Sequence, residues 1–580
     1  MDITVEKVKN ALKDQQVSAL LVRSTDKYFN EYVPKSMSIR QKLTGFDGSV
    51  GDAIISDKGM HLFVDGRYTL QAESQAKGFF VHVTSSADSI ETSWLKKLPE
   101  ILSAGETLAY DPASIDLNLF ERIQKTAQEL GAKLVAKPEI TGEVLKSLPG
   151  VDLSSYPIFS VANVIGDDIA HKNEIVRQFL ASNQLDALLV VKLDDIAWLT
   201  NLRSYCFPYQ SSIPGIAMIT KDGLLLGLAK GLKKSDLKES CDEDDLWSQA
   251  MEHFRGKKAV VGIDPKQTSK AHEMALRAIG VEIRSIENPI SYFKAIKNEK
   301  EKLHMRSAFK KADEVVYQTQ KFVIESFEKK QSLSEGDVDD HIKDGFKKSG
   351  AEQLSFRPIC ASGKNGAIIH YGSPDHSQAV VEGSLFLLDT GAYYQGGYAT
   401  DLTRTFLAAP NSRPAEKWQK EMFTLVLKAS IAGLSARFRK GTIGMQLDAI
   451  VRAPLWQKGL DFAHGTGHGV GINVHEFPPR IGPTSTSILL ENQVFSIEPG
   501  LYFKDIGGVR IENLATIVKD PEHNDFLRVL PLTFCPLDER LIDHDMLDEH
   551  EKNFLVYFAN EWQGGEKWPS LPPLKTVKFG

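Results

Sequence analysis

The chain has 580 residues, of which 42% are hydrophobic and 25% charged, and it carries a net charge of −7. At about 150 residues per domain it should divide into three or four folded units, and the composition is that of a globular protein and not a disordered one. The acidic balance argues against a nucleic-acid partner, which calls for a basic face, and no apolar run reaches the roughly 18 residues of a membrane-spanning helix.

The N-terminus, Met1 to Lys9, is charged and amphipathic and lacks the apolar stretch of a secretory signal, so a cytoplasmic address is expected. Cys206, Cys241, Cys360 and Cys535 form no CxxC pair and read as reduced thiols, which disfavours a disulfide framework or a thiolate zinc site. The first elements repeat. Leu12 to Val22 (LKDQQVSALLV) aligns with Leu180 to Val190 (LASNQLDALLV), a helix end running into a buried strand. Leu43-Thr-Gly-Phe46 is matched, in the same relative place, by Leu199-Thr-Asn-Leu202. Each is followed by another apolar strand, Asp52 to Ser56 or Gly215 to Thr220. Helix-to-strand joints favour Leu, Ala and Val, so one match could be chance; two in order point to duplication. Short apolar runs alternating with helical patterns make both copies α/β, a sheet covered by helices. The joint between them is expected between Ser154 and Asn163, where Tyr156-Pro157 interrupts the pattern, giving domains over residues 1–155 and 156–295.

A second boundary is expected near Asn288-Pro289. Beyond it, Asn298 to Lys330 reads as one long helix, with Phe309, Ala312, Val316, Thr319, Val323 and Phe327 along one face. Ser334, three residues before Asp337, reads as the N-cap of the next helix. The domain over 296–545 has an internal echo: Phe386-Leu-Leu-Asp389-Thr-Gly391 recurs as Phe495-Ser-Ile-Glu498-Pro-Gly500. Each segment opens a hairpin whose return strand carries a second carboxylate, Asp401 or Glu512. The tail, 546–580, begins as an acidic amphipathic helix (Met546, Leu547, Phe554, Leu555, Phe558) and ends in a Pro-rich run, a wrap over the domain before it.

The chemistry gathers in five residues: Asp389, Asp401, His468, Glu498 and Glu512. Four carboxylates and an imidazole are too negative to sit together without cations, and hard oxygen ligands can bridge two divalent ions about 3.5–4 Å apart, the arrangement that activates water. Alone, Asp389 or Asp401 is more often a turn or cap residue. Yet Asp389 ends an apolar strand, where an unpaired carboxylate would be costly. Between His464 and His475, three histidines are interleaved with glycines, which let the backbone approach a ligand closely, and imidazole is both a nitrogen ligand and the side chain that titrates nearest neutrality. Pro499 fixes the backbone after Glu498. In Val509-Arg-Ile-Glu512, Arg510 and Glu512 share a face, either as an exposed ion pair or with Arg510 orienting ligands from behind. His370, after Ala367-Ile-Ile369, reads alone as a structural histidine.

In this order the motifs resemble the aminopeptidase P (Xaa-Pro aminopeptidase) branch of the pita-bread metallopeptidases, in its long three-domain form. The resemblance covers nearly the whole chain: LTGF, DGRY (Asp65 to Tyr68), IAWL (Ile196 to Leu199) and every catalytic motif. It implies α/β and α+β architecture, two creatinase-like N-terminal domains before a pita-bread catalytic domain. Asp389, Asp401, His468, Glu498 and Glu512 match the metal ligands, with Asp401 and Glu512 at the bridging positions. His370 and His475 match histidines that contact substrate and steady the reacting carbonyl; His464 and Arg510 match residues around the proline pocket. Eleven residues separate Asp389 from Asp401, one more than relatives usually place. An uncompensated insertion would turn one Asp away, so Gly396-Gly397 is expected to absorb it as a bulge or longer turn.

The implied reaction is attack by a water or hydroxide, held between the metals, on the carbonyl of the first residue before a proline. Glu498 takes the water proton, and His475 and His370 stabilise the oxyanion. Two divalent ions are expected, manganese first, though the hard ligand set also admits cobalt, zinc or iron. A homodimer is expected by analogy, with the Asp65 to Tyr68 segment a candidate for lining the entrance. Prolidase-like dipeptidase activity is the main rival; a peptide-binding pseudoenzyme would normally have lost ligands, and a creatinase-type hydrolase would not need the full acidic set.

Overall fold

The computed structural model of the chain describes residues 3–84, 88–166, 168–232, 240–372, 374–565 and 567–575. Met1, where the charged N-terminus begins, and 576–580, where the tail ends, lie outside the described residues. The chain forms two compact units: Met1–Ser160 with Asp168–Pro208 and Ser212–Ile290, and Val161–Asp167 with Tyr209–Ser211 and Ser291–Gly580.

The first unit contains two six-stranded sheets of one design. Strands β1 (Ala19–Val22), β2 (Asp52–Ser56), β3 (Met60–Val64), β4 (Phe80–Val83), β5 (Thr107–Tyr110) and β6 (Lys133–Ala136) lie in the order β4-β3-β2-β1-β5-β6. Strands β7 (Ala187–Val190), β8 (Gly215–Thr220), β9 (Leu224–Leu228), β10 (Ser240–Asp242), β11 (Val260–Ile263) and β12 (Glu282–Ser285) repeat it as β10-β9-β8-β7-β11-β12. β1 runs antiparallel to β2 and parallel to β5, and β7 does the same with β8 and β11. Local backbone repeats too. Gln16 and Gln184, before β1 and β7, have φ of 55° and 53°. Gly45 and Asn201 close their helices in the left-handed conformation, and in each case the preceding threonine, Thr44 or Thr200, bonds back to the carbonyl four residues earlier. The duplication read from sequence is thus a duplication of topology. β1 is apolar throughout because helices cover both faces of its sheet: Leu20 and Val22 pack with Val5, Val8 and Leu12, while Ala19 and Leu21 pack with Trp94, Leu98 and Ile123.

The second unit opens with the helix Glu299–Glu328, closed at its start by a capping box between Asn298 and Glu301; Ser334 and Asp337 form the same device for the helix Glu335–Lys348. Both helices pack on a three-stranded sheet of β13 (Ile359–Ser362), β14 (Leu385–Thr390) and β15 (Leu402–Leu407). A second sheet, in the order β16-β21-β20-β17, comprises β16 (Arg437–Arg439), β17 (Val494–Ile497), β20 (Asn513–Lys519) and β21 (Phe526–Pro531), and the hairpin of β18 (Gly500–Phe503) and β19 (Gly507–Arg510) lies between β17 and β20 in the chain. The helices Lys417–Leu434 and Gly444–Trp456 share its core. The tail helix Glu549–Gln563 buries Phe554 and Phe558 in that core, and Glu551 meets Lys428 at 2.6 Å.

Candidate metal centre

Strand register sets the carboxylates. Asp389 pairs with Thr403 and Thr390 with Leu402, so continuing the register places Asp401 opposite Gly391, two residues from Asp389 and on the same face. Ile497 pairs with Asn513, which places Glu498 and Glu512 directly opposite each other. The extra residue between the two aspartates is taken up at the hairpin tip, where Gly396 and Gly397 have φ of 102° and 69° and Gly397 N–H donates to Tyr394 O at 2.9 Å. The strand ends are undisturbed.

His468 enters on a glycine-lined loop. A Cβ at Gly467 would overlap the Ser496 carbonyl and one at Gly469 the Glu476 carbonyl, so the loop can lie against the strand bearing Glu498 only with glycine there. His468 Nδ1 is 3.1 Å from the Gly469 carbonyl, an acceptor, so in the neutral ring Nδ1 carries the proton and Nε2 keeps the lone pair. That Nε2 stands 3.5 Å from Asp401 Oδ2 and 3.5 Å from Glu498 Oε1. Ligand atoms of Asp401, His468 and Glu512 all lie within 4.8 Å of one another.

Burial sharpens the conflict among the acids. Asp401 and Glu512 are 5% and 2% exposed. Burial holds Asp401 far above the usual carboxylate range, with Glu512, Asp389 and Glu498 adding to it. Burial does the same to Glu512, with Glu498 and Asp389 adding. Glu498 is pushed up to about 7 by burial and Asp389, against the pull of Arg510. Among the described residues, Asp389 Oδ1 and Glu512 Oε1 are buried with no hydrogen-bond partner, while Glu512 Oε2 accepts from Thr403 Oγ1 at 2.8 Å. Unpaired buried carboxylate oxygens facing like charges are what a divalent cation satisfies. The donor set fits a metal.

The other expected residues fall around this cluster. His475 packs its ring edge-on to His468, centroids 4.4 Å apart. His464 Nε2 lies 2.9 Å from the Tyr502 hydroxyl, and its Nδ1 is 4.0 Å from Glu498 Oε2. Arg510 is not an exposed partner of Glu512: it is 2% exposed, donating to Asp389 Oδ2 at 2.6 Å, Thr403 Oγ1 at 3.2 Å and the Tyr502 hydroxyl at 2.8 Å. Burial opposes the Arg510 charge, but Tyr502 and Asp389 raise its pKa well above the usual value. His370 lies on a turn whose neighbours Ile368 and Tyr371 belong to one small apolar cluster with Tyr502. Sequence reasoning passed over Tyr502 and Thr403. Thr403 had a signal, since Asp401, Thr403 and Thr405 alternate onto one face, and Thr405 bonds the Arg510 carbonyl at 3.0 Å. Tyr502 had only its place after Glu498-Pro-Gly.

A metallopeptidase family M24 model matches residues 304–519, and creatinase/prolidase N-terminal domain models match 5–140 and 152–301. A probable Xaa-Pro aminopeptidase P from Sordaria macrospora is 31% identical over 582 residues, covering 94% of this chain and 93% of that protein. One from Fusarium vanettenii is 31% identical over 591 residues, with the same coverage of 94% and 93%. Among solved structures, an X-prolyl aminopeptidase from Caenorhabditis elegans, described as a cytosolic enzyme with a di-nuclear active site, matches with a TM-score of 0.89 at 26% identity, covering 97% of this chain and 95% of that one. A prolidase from Pyrococcus horikoshii matches with a TM-score of 0.51 at 26% identity, covering 64% of this chain and 100% of that one.

Proposed function

The chain belongs to the Xaa-Pro aminopeptidase P family of M24 metallopeptidases, two creatinase-type domains before a pita-bread catalytic domain, and from that premise we propose that it removes the first residue of peptides whose second residue is proline, on a dinuclear site. Asp389, Asp401, His468, Glu498 and Glu512 would hold the two ions. The observation that carries this is the pair of buried oxygens on Asp389 and Glu512 that have no hydrogen-bond partner among the described residues, set among further carboxylates.

Two divalent ions there would polarise the scissile carbonyl and lower the pKa of a water, supplying a nucleophile near neutral pH. The chain's own residues do the rest. Glu498 receives the proton of the attacking water. His475, beside His468 but outside the ligand set, donates to the developing oxyanion, with His370 from its turn as the second donor. An X-Pro bond has no N–H, so recognition cannot use that donor and must rest on a shaped pocket. His464 lines it, and Arg510 acts on it through Tyr502 while orienting Asp389. Hard oxygen donors favour manganese.

The catalytic domain is taken as 296–545, after creatinase-like domains over 1–155 and 156–295. The Caenorhabditis elegans relative described as cytosolic supports a cytoplasmic address, and a homodimer is part of the same reading. Separately, among the described residues no helix is long and apolar enough to cross a membrane. Light scattering tests the homodimer and cell fractionation the address.

The deciding assay compares Arg-Pro-Pro, its N-acetylated form, Gly-Pro and a proline-free peptide on metal-loaded protein. Cleavage of Arg-Pro-Pro after its first residue is expected, blocked by acetylation and absent without proline. Hydrolysis of Gly-Pro alone, with longer peptides untouched, assigns the protein as a dipeptidase instead.

A further inference from the structure

Glu476, next to His475, has no role in the reaction above, yet it is one of the most enclosed charges in its unit. It is 2% exposed and forms an ion pair with Lys297, itself 3% exposed. One Glu476 oxygen meets the Lys297 ammonium; the other accepts the Ile472 N–H at 2.9 Å, and the Glu476 N–H donates to Gly469 O at 2.8 Å. The loop from Gly469 to Glu476 is therefore closed by one backbone bond and by the bond from Ile472 to the carboxylate. Gly471 lies against it so closely that a Cβ would overlap the carboxylate.

The lysine is equally constrained. Its ammonium also donates to Lys294 O at 2.7 Å, its backbone N–H donates to Asn492 O at 3.0 Å, and Ile296 bridges Gln493. The segment that supplies Lys297 is thus stapled to the residues just before β17, the strand that delivers Glu498. Exposed ion pairs hold no such geometry. A buried pair is weak evidence for stability, because apolar residues pack as well; what it supplies is direction, through bonds that accept one arrangement.

We propose that the Lys297–Glu476 pair is the positioning device for His475, holding its ring edge-on to His468 so that it meets the carbonyl oxygen in the transition state. Neither residue touches substrate; both act through His475. The inference rests on the oxyanion role of His475 proposed above.

A double-mutant cycle on the full-length, metal-loaded enzyme tests it. Glu476→Gln should lower kcat by roughly 10-fold or more, the order expected of a misplaced catalytic group, with KM changed less than about threefold and metal content intact. Added to His475→Ala, it should cost less than about twofold further, because the group it positions is gone. If Glu476→Gln leaves a buried ammonium that prevents folding, the neutral pair Lys297→Met with Glu476→Gln takes its place and is judged the same way. A normal kcat in either variant overturns the proposal, as does loss of metal. Equal losses with and without His475 overturn it while leaving the role of His475 standing. A His475→Ala enzyme of full activity removes the premise itself.

Discussion

Arg510 holds Asp389 Oδ2 at 2.6 Å and leaves Asp389 Oδ1 buried without a hydrogen-bond partner among the described residues. One carboxylate is thereby split into an oriented oxygen and an oxygen left for the proposed ions. The same guanidinium reaches Thr403, which bonds Glu512 Oε2, so a single cation behind the site steers acids from both hairpins. Arg510→Lys keeps the charge but cannot span Asp389, Thr403 and Tyr502 with one ammonium. Affinity for divalent ions should fall by roughly 10- to 100-fold, the cost typical of losing an orienting partner behind a ligand. Manganese titration of the metal-free protein reads it, and an unchanged affinity would remove Arg510 from the centre's design.

The carboxylate cluster should cost the metal-free protein stability as pH rises. At Asp401, Glu498 and Glu512, whose pKa values are raised in the folded state, the native protein binds more protons than the unfolded chain, so their contribution to the slope of stability against pH is negative; buried His272, lowered to about 4, contributes the opposite sign below its ordinary 6.5. For Glu498 the window runs from the ordinary glutamate value of 4.5 to about 7. Thermal denaturation between pH 5 and pH 8, with chelator and with manganese, should show the Tm gained from manganese growing toward the upper end, where it satisfies the deprotonated acids. A manganese-dependent Tm gain that stays flat or shrinks across this window would contradict the carboxylate cluster.

His475→Ala should lower kcat by about 10² or more, the order seen when an oxyanion donor is removed. Metal content, measured on the same sample, should be unchanged because His475 is not among the five proposed ligands. Loss of an ion would reassign it as a ligand.

Tyr502→Phe removes the hydroxyl that accepts from Arg510 at 2.8 Å and meets His464 at 2.9 Å. A buried guanidinium N–H is left unpaired, at a cost of about 1–3 kcal/mol, and His464 loses the contact that fixes its ring. Denaturant unfolding should show that loss, and KM for X-Pro-Y peptides should rise several-fold while manganese is retained. An unchanged KM would detach His464 from substrate binding.

The candidate donors, the duplicated sheets and the helix starts were all legible in the amino-acid order, because each is written locally. Apolar Ala19–Val22 and Ala187–Val190 mark central strands, Asn298 and Ser334 cap helices within three residues, and each candidate ligand sits in its own short motif. Gly396-Gly397 was legible as the place for an extra residue because only the turn could take it without reversing a strand face. The partners standing behind the candidate ligands came from long-range packing. Arg510 meets Asp389 across 121 residues and Lys297 meets Glu476 across 179. Local sequence sets backbone conformation and the face a side chain takes, whereas its partner depends on which distant strand or loop packs there. Hence Arg510 was legible as a face-sharing neighbour of Glu512, but its bonds to Asp389 and Tyr502, and the burial of the Lys297–Glu476 pair, emerged only when the two hairpins and the glycine-lined loop were packed together.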